Sequence, residues 1–299
     1  MTDETRKTFR NAVRNKEFVL SAELFLHPET TAAMIAEQTR LLSGYVDGML
    51  VTDNLGGKLH MSPLAAASLV IASGGDPIMQ LSCRNRNRIT LLAELLGAAA
   101  LDVSSLLLIR GSRVPEGFEP RPPAVFDVDA AELIAMATKM KTDEGLPNLP
   151  DFYIGGLITP HAPDPGWVPE KLERKSDAGV QFALSHISMD MPVLAAYMKH
   201  IVASGLKRRM NLFVTLAICS SADDARWLRN SLPNNRIPDD YIARLDQAAD
   251  AEATAVEVCA EQLRELQKIP GIDGAHLVAT RNLATINAAI EAAGLKRPA

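Results

Sequence analysis

Short apolar stretches rich in β-branched residues recur along the chain and alternate with longer amphipathic stretches. Each apolar stretch has the length of a buried strand. The eight predicted strands are Phe18–Glu23, Val46–Thr52, Pro77–Ser82, Ser105–Ile109, Phe152–Ile158, Val180–His186, Asn211–Ala217 and Gly274–Ala279. Strands that alternate with helices are typical of an α/β protein with a parallel sheet and crossover helices.

The stretches between the strands carry the apolar period of helices. Six helices are predicted in this way: Thr31–Leu42, Pro63–Ala72, Ile89–Leu101, Ala130–Met140, Pro169–Ala178 and Met191–Ala203. The segment 222–269 is too long for one crossover helix and contains a Pro-Asn pair at Pro233 and Asn234, so it predicts two or three extra helices after strand seven. The Pro-rich tract 114–123 predicts a loop.

Eight β/α units fit within 299 residues, and no Pro/Gly/Ser-rich linker divides them. This organisation favours a single closed (β/α)8 TIM barrel domain over residues 1–299. An open doubly wound sheet is the alternative.

The overall composition narrows the class of protein. The chain is 47% hydrophobic and 22% charged, with a formal net charge of -5, so a surface that neutralises nucleic acid or anionic lipid is not expected. Its three cysteines form no CxxC pair, which argues against a disulfide framework or a zinc site. The polar N-terminus and the lack of a long apolar run predict a cytoplasmic protein without a membrane or nucleic-acid partner.

Polar residues gather at the C-terminal ends of the predicted strands, where (β/α)8 barrels carry their chemistry. These candidates are Glu23, Thr52, Asp53, Asn54, Ser82, Cys83, Arg84, Arg110, Gly111, Ser112, Thr159, Pro160, His161, Ser185, His186, Asp190, Cys219, Thr280 and Arg281.

Glu23 ends an otherwise apolar strand. A carboxyl group at the mouth of an apolar barrel has a raised pKa and can deliver a proton near neutrality. The alternative is a carboxylate paired with a nearby arginine.

Three arginines lie within Cys83–Arg88, directly after strand three. Their guanidinium groups are able to bind phosphate or carboxylate through paired hydrogen bonds. The alternative is that this segment is simply the solvated start of a helix. His186 fits a base, a hydrogen-bond donor to a cofactor or a core histidine. No HExxH or GxSxG pattern occurs, so zinc hydrolysis and serine-nucleophile chemistry have no support and no metal is expected.

Several segments, in the same order along the chain, resemble the methylenetetrahydrofolate reductase family. The segments are Ser21–Phe25, Val51–Asn54, Met61–Leu64, Gln80–Arg88, Leu95–Ala99, Ser105–Ser112, Phe126–Asp129 and Leu172–Gly179, with looser matches at Arg236–Pro238 and His276–Arg281. The stretch between Val51 and Ala99 is similar to the branch found in one-carbon metabolism of bacteria that demethylate substrates or build acetate.

The resemblance implies a (β/α)8 barrel that binds FAD and uses NADH or NADPH to reduce 5,10-methylenetetrahydrofolate to 5-methyltetrahydrofolate, or catalyses the reverse oxidation. Glu23 would be the general acid that serves the folate. The implied cofactor contacts are Thr52, Asp53, Gln80, Arg84, Arg110, Gly111, Ser112, Asp129, Thr159 and Lys175. The implied substrate contacts are Asn54, His186 and Arg281. We also expect a homo-oligomer.

Three substrate-side positions depart from the family pattern. The family's Arg-Gly-Asp is Arg110-Gly111-Ser112 here, its Thr-Gln is Ser185-His186, and its Asn-Arg is not clearly kept in 280–282. A flavin-dependent reductase, a flavin-free reductase, a non-catalytic pterin-binding subunit and a folate-dependent methyl-transfer partner therefore remain as alternatives, because fold does not determine function.

Overall fold

Eight parallel strands form a closed barrel in chain order in the computed structural model, which describes residues 8–143, 145, 150–231 and 234–296. The strands are β1 (Val19–Glu23), β2 (Gly48–Val51), β3 (Pro77–Ser82), β4 (Ser105–Ile109), β5 (Tyr153–Ile158), β6 (Phe182–Ile187), β7 (Asn211–Ile218) and β8 (Gly274–Ala279). Strand β8 pairs with β1 and closes the barrel. The predicted (β/α)8 barrel is confirmed, and the open doubly wound sheet is wrong.

Helices surround the strands. Within the described ranges they are α1 (Phe9–Asn15), α2 (Ala32–Leu42), α3 (Pro63–Ala72), α4 (Arg88–Ala100), α5 (Ala130–Met140), α6 (Glu170–Ala178), α7 (Met191–Ala203), α8 (Ala222–Ser231), α9 (Asp239–Gln247), α10 (Ala251–Leu266) and α11 (Ala284–Ala292). The six predicted helices are confirmed to within one residue at each end. None of the helices in this part of the chain combines the length and the apolar content needed to span a bilayer.

The segment after β7 forms three helices, α8 to α10. Between α8 and α9 the backbone of Asn234 is left-handed, with φ 81°, while Pro233 lies outside the described residues. Residues 114–123 form a loop, as predicted. Two helices, α1 and α11, were not predicted. Strand β2 is shorter than predicted because Val46 lies in the turn after α2, where it bridges to Ser43.

A cluster of aromatic rings fills the N-terminal end of the barrel. Phe9 of α1 packs against Tyr153, Phe182 and Phe213, with ring centroids 6.0, 5.6 and 5.3 Å away. Tyr153 stacks on Phe182 at 4.9 Å. The backbone N–H of Phe9 donates to the carboxylate of Asp76 at 2.5 Å, which fixes the start of α1. Helix α1 therefore closes this end of the barrel.

Alternation along each strand divides interior from exterior side chains. In β1, Val19 belongs to the interior cluster with Phe9, whereas Leu20 and Ala22 belong to the outer core under the helices. Ser21 and Glu23 therefore share the interior face with Val19. The interior is aromatic at the N-terminal end and becomes polar toward the C-terminal end.

The Phe9→Ala substitution should lower the free energy of unfolding by about 3–5 kcal/mol, because it leaves a cavity among three rings. Urea denaturation measures the change. The matched control is Phe118→Ala, since Phe118 is 45% exposed in the loop after β4; we expect its effect to stay within about 0.5 kcal/mol. Equal losses in both variants would show that α1 does not close the barrel.

Candidate functional site at the C-terminal end of the barrel

Glu23 is the last residue of β1 and lies on the interior face of the barrel. Removal of its carboxyl group from water raises its pKa from 4.5 to about 7. No arginine or lysine of the described residues pairs with it, so the predicted alternative of an ion-paired carboxylate is wrong. A carboxyl group with this pKa is able to donate and accept a proton near neutral pH.

A polar layer lies directly below Glu23 in the barrel. The hydroxyl of Ser21 is 2.9 Å from Nδ1 of His276, its register partner on β8. Nε2 of His276 is buried without a protein partner in the part of the chain described, and burial lowers the pKa of the ring to about 3. The imidazole is therefore neutral. The sequence prediction missed this pair, although the alternation of Gly274–Ala279 places His276 on the interior face.

A buried ion pair joins the loops after β2 and β3. Both oxygens of the Asp53 carboxylate receive hydrogen bonds from the Arg86 guanidinium, at 2.6 and 3.2 Å. Ser82 donates to the same carboxylate from its backbone N–H at 2.8 Å and from its hydroxyl at 2.6 Å. Asp53 is thus hydrogen-bonded within the protein, and these bonds hold the two loops in position. A contact between Asp53 and a cofactor stays a prediction.

The three arginines after β3 have different partners. Arg86 pairs with Asp53, and Arg88 pairs with Asp127 at 2.9 Å on the surface. Arg84 has no ion pair within the described ranges, and its Nε is buried without a hydrogen-bond partner. Of these three arginines, Arg84 alone is therefore free to bind an anionic group.

Phe126 lies beside two guanidinium groups at the barrel mouth. Its ring centroid is 5.2 Å from the guanidinium carbon of Arg84 and 4.5 Å from that of Arg110. Both contacts are within the range of cation–π attraction. The ring brings the two cations together although it makes no ion pair, and the sequence prediction did not assign it a role in the site.

Gly111 permits a close approach between two loops. Its φ is +93°, and a Cβ atom there would lie 2.9 Å from Cβ of both Ser82 and Arg84. Only glycine fits this conformation and this space. Ser112, which follows, is partly buried and carries no charge. The loop after β4 therefore packs against the loop after β3, with a neutral hydroxyl where the family pattern has an aspartate.

Lys175 and His186 lie close together at the ends of β5 and β6. Nζ of Lys175 donates to the carbonyl oxygen of Leu157 at 2.5 Å, so α6 delivers the ammonium group to the end of β5. Burial lowers the pKa of Lys175, and the nearby Lys171 lowers it further. Burial also lowers the pKa of His186, with a smaller contribution from the charge of Lys175. His186 is therefore a neutral hydrogen-bonding group at pH 7.

Three predicted contacts are engaged in structural interactions. Asp129 caps α5, where its side chain accepts from two backbone N–H groups and pairs with Arg174. Arg281 pairs through two hydrogen bonds, at 2.8 and 2.7 Å, with Asp224 of α8. The amide NH₂ of Asn54 donates to Asp53 at 3.1 Å. The proposed ligand contacts of Asp129, Arg281 and Asn54 compete with these partners.

Thr52, Gln80 and Thr159 complete the predicted set. Thr52 directly follows β2 and Gln80 lies within β3; both are buried, on the same interior face as Leu50 and Ile78. Thr159 follows β5 and is partly buried. Thr52 and Gln80 come between Glu23 and Arg84 in chain order, whereas Thr159 comes after Arg110. No group of three His, Cys, Asp or Glu side chains in the described segments is arranged to hold a metal.

Together these features describe a (β/α)8 barrel with an unpaired acid inside its C-terminal end and uncompensated cations at its rim. The family model of methylenetetrahydrofolate reductase matches residues 8–294, and the chain belongs to that family. No curated protein is significantly similar to it.

Solved structures confirm the fold. A protein of Clostridium thermocellum, described as uncharacterized and as binding two copies of 5-methyl-5,6,7,8-tetrahydrofolic acid, is similar with a TM-score of 0.63 and 14% sequence identity over 95% of this chain and 97% of that chain. Ligand-free tryptophan synthase from M. tuberculosis is similar with a TM-score of 0.52 and 14% identity over 99% of this chain and 100% of that chain. At such identities the likeness concerns the fold alone.

Glu23→Gln should stabilise the protein at alkaline pH but not at acidic pH. The folded-state pKa of about 7 lies above the ordinary glutamate value of 4.5, so the folded state favours the protonated carboxyl, and stability falls as the pH rises from 4.5 to 7. The neutral amide of the variant avoids this loss of stability. We expect the difference in the free energy of unfolding to be about 1–2 kcal/mol, because partial exposure of the Glu23 side chain reduces the effect.

Urea denaturation of wild type and variant at pH 4.5 and pH 8 measures this difference. Glu29→Gln is the matched control because Glu29 is exposed in the loop after β1; we expect no pH-dependent gain from it. A Glu23→Gln variant that is less stable than wild type at pH 8 would contradict the assignment of an uncompensated carboxyl group.

Proposed function

We propose that the protein is a methylenetetrahydrofolate reductase-like oxidoreductase of one-carbon metabolism. It transfers hydride from NADH or NADPH through FAD to 5,10-methylenetetrahydrofolate, giving 5-methyltetrahydrofolate, or catalyses the reverse oxidation. The observation that carries this proposal is Glu23, an unpaired carboxyl group inside the barrel mouth with a pKa of about 7. Membership of the family supports an oxidoreductase-like activity.

Glu23 is the proposed general acid for the folate. Opening of the five-membered ring that carries the methylene bridge leaves an amine nitrogen, and this nitrogen must gain a proton. A carboxylic acid that is half protonated at pH 7 provides that proton. An ordinary surface glutamate is ionised at this pH and does not.

The cations of the rim fit the anionic part of FAD. Arg84 offers a buried Nε that has no partner among the described residues, and Arg110 is exposed beside it over the ring of Phe126. Guanidinium groups bind diphosphate oxygens through charge-assisted hydrogen bonds. The ammonium group of Lys175 and the neutral ring of His186 supply donors at the ends of the neighbouring strands β5 and β6. FAD, when bound, supplies the hydride chemistry itself.

The folate assignment has independent support in the Clostridium thermocellum protein, which shares the fold over nearly the whole chain and is described as binding 5-methyl-5,6,7,8-tetrahydrofolic acid. We extend this ligand class to the present protein. The contacts of Asn54, His186 and Arg281 with the folate, the homo-oligomeric state, the cytoplasmic location and the single-domain organisation belong to the same proposal.

The visible absorbance spectrum of the purified protein, before and after anaerobic addition of NADH or NADPH, tests the cofactor. We expect flavin bands, or bands that appear on reconstitution with FAD, and we expect them to bleach when the nicotinamide is added. A protein that stays colourless after incubation with FAD rejects the flavin-dependent reaction.

Separate half-reactions test the role of Glu23. We expect Glu23→Gln to leave flavin reduction by the nicotinamide unchanged and to slow reoxidation by methylenetetrahydrofolate by about 100-fold or more, the scale of a lost positioned acid. Glu29→Gln serves again as the control. Equal slowing of both half-reactions by Glu23→Gln would assign Glu23 a structural role.

A flavin-free folate protein is the second candidate. The family's aspartate places a negative charge beside the flavin, and Ser112 is neutral at this position. The loss of this flavin-side charge favours the second candidate. It includes a flavin-free reductase, a non-catalytic pterin-binding subunit and a methyl-transfer partner. A colourless protein that binds 5-methyltetrahydrofolate supports this candidate. A protein that binds neither flavin nor folate rejects it.

A further inference from the structure

A cavity of about 420 Å³ lies at the N-terminal end of the barrel, away from Glu23. It lies between α1, the first residue of β5 and the turn that leads into β7. Five cationic side chains line it: Arg10, Arg14, Lys207, Arg208 and Arg209. None of its lining residues is an aspartate or a glutamate. The site is cationic although the whole chain carries a net charge of -5.

Nearby carboxylates balance only part of this charge. Three of the cations reach acids outside the cavity, in the pairs Arg10–Asp151, Lys207–Asp273 and Arg209–Asp177, at 2.8, 3.0 and 2.7 Å. Arg14 and Arg208 form no ion pair with any described residue. The cavity therefore has two guanidinium groups whose charge no carboxylate of the described chain compensates.

The amide side chains of the cavity also have hydrogen-bond donors without acceptors in the described chain. Oδ1 of Asn211 accepts from the hydroxyl of Tyr153 at 3.0 Å. Oε1 of Gln181 accepts from the backbone N–H of Ile154 at 3.0 Å. Both amide oxygens are thus engaged, while neither NH₂ group has an acceptor among the residues that the structure describes. Guanidinium and amide N–H groups together form a lining suited to several negatively charged oxygens.

We propose that this cavity binds a small polyanion of the phosphate or polycarboxylate type. Arg14 and Arg208 grip its charged oxygens from opposite walls, and the amide NH₂ groups of Asn211 and Gln181 complete the contacts. The volume is that of a small-molecule site. The site is independent of the reaction proposed for the barrel mouth, because the aromatic cluster around Phe9 lies between the two ends.

The bound anion links α1 to the turn before β7. Arg14 belongs to α1, and Arg208 belongs to the turn. Because α1 covers the aromatic cluster, a ligand that holds both walls stabilises the closed end of the barrel, and the melting temperature rises with ligand concentration.

Isothermal titration calorimetry of the full chain at low ionic strength tests the proposal, with sodium pyrophosphate and sodium citrate as separate probes. Sodium chloride at matched ionic strength is the control for nonspecific screening. We expect at least one probe to bind, and the probe that binds more tightly identifies phosphate or polycarboxylate as the ligand class.

Three variants locate the binding. Arg14→Ala/Arg208→Ala should weaken it by about 100-fold, since each lost charge-assisted contact contributes about 10-fold. Arg40→Ala/Lys199→Ala removes the same charge from exposed positions elsewhere and should change the affinity little. Arg84→Ala/Arg110→Ala removes the cations of the barrel mouth, where a diphosphate group is also expected, and should leave the binding at the cavity intact.

Two outcomes would overturn the proposal. The first is that neither probe binds the wild-type protein. The second is that binding persists in Arg14→Ala/Arg208→Ala and disappears in Arg84→Ala/Arg110→Ala, which would place the anion at the mouth. Because Arg14 and Arg208 are exposed, we expect their double variant to fold, and an unchanged melting temperature without ligand verifies this.

Discussion

Closure of the parallel barrel is the constraint on which the rest of the structure depends. In a closed sheet every second side chain of each strand must lie inside, and the enclosed space must be filled. Four aromatic rings fill the N-terminal end, one of them supplied by α1. Smaller polar side chains such as Ser21 occupy the layer above, and Glu23 lies higher still on the same face. The raised pKa of Glu23 follows from this position, because an interior residue is removed from water and no cation of the described chain reaches it.

Most charged side chains around the mouth hold loops in place. The carboxylate of Asp53 accepts hydrogen bonds from Arg86 and from the backbone N–H and hydroxyl of Ser82, and Arg281 forms an ion pair with Asp224. Asp53 and Arg281, which the sequence suggested as ligand contacts, are therefore paired within the protein. Among the described residues of the mouth, those that form no ion pair include Glu23 in the interior, Lys175 at the end of β5, and Arg84 with Arg110 at the rim. A site for a charged ligand is defined by the groups that the fold leaves without partners, since paired groups lose existing interactions on binding.

The sequence predicted the barrel well and the site incompletely, for a physical reason. Strands were predictable because buried parallel strands form continuous apolar runs, and helix starts because residues such as Asp129 cap them. Helix α1 was missed because it is short, polar on most of its surface and amphipathic only through Phe9 and Ala12. The partners of polar residues were not predictable. Asp53 meets an arginine 33 positions away, and Arg281 meets a carboxylate 57 positions away, so only the folded chain shows which groups are engaged.

The aromatic cluster also separates two electrostatic environments within one barrel. On its upper side the interior leads to an acid that prefers to be neutral; on its lower side Tyr153 extends from the cluster, and its hydroxyl bonds to Asn211 beside the cationic cavity. Burial and the nearby Asp273 raise the pKa of this hydroxyl, whereas Arg10 and Arg14 act in the opposite direction, so the phenol stays a neutral donor. The cluster of four aromatic rings therefore separates a charge at one end of the barrel from the other end. Ligand binding below the cluster is expected to change how firmly α1 closes the barrel, and to leave the protonation of Glu23 unaffected.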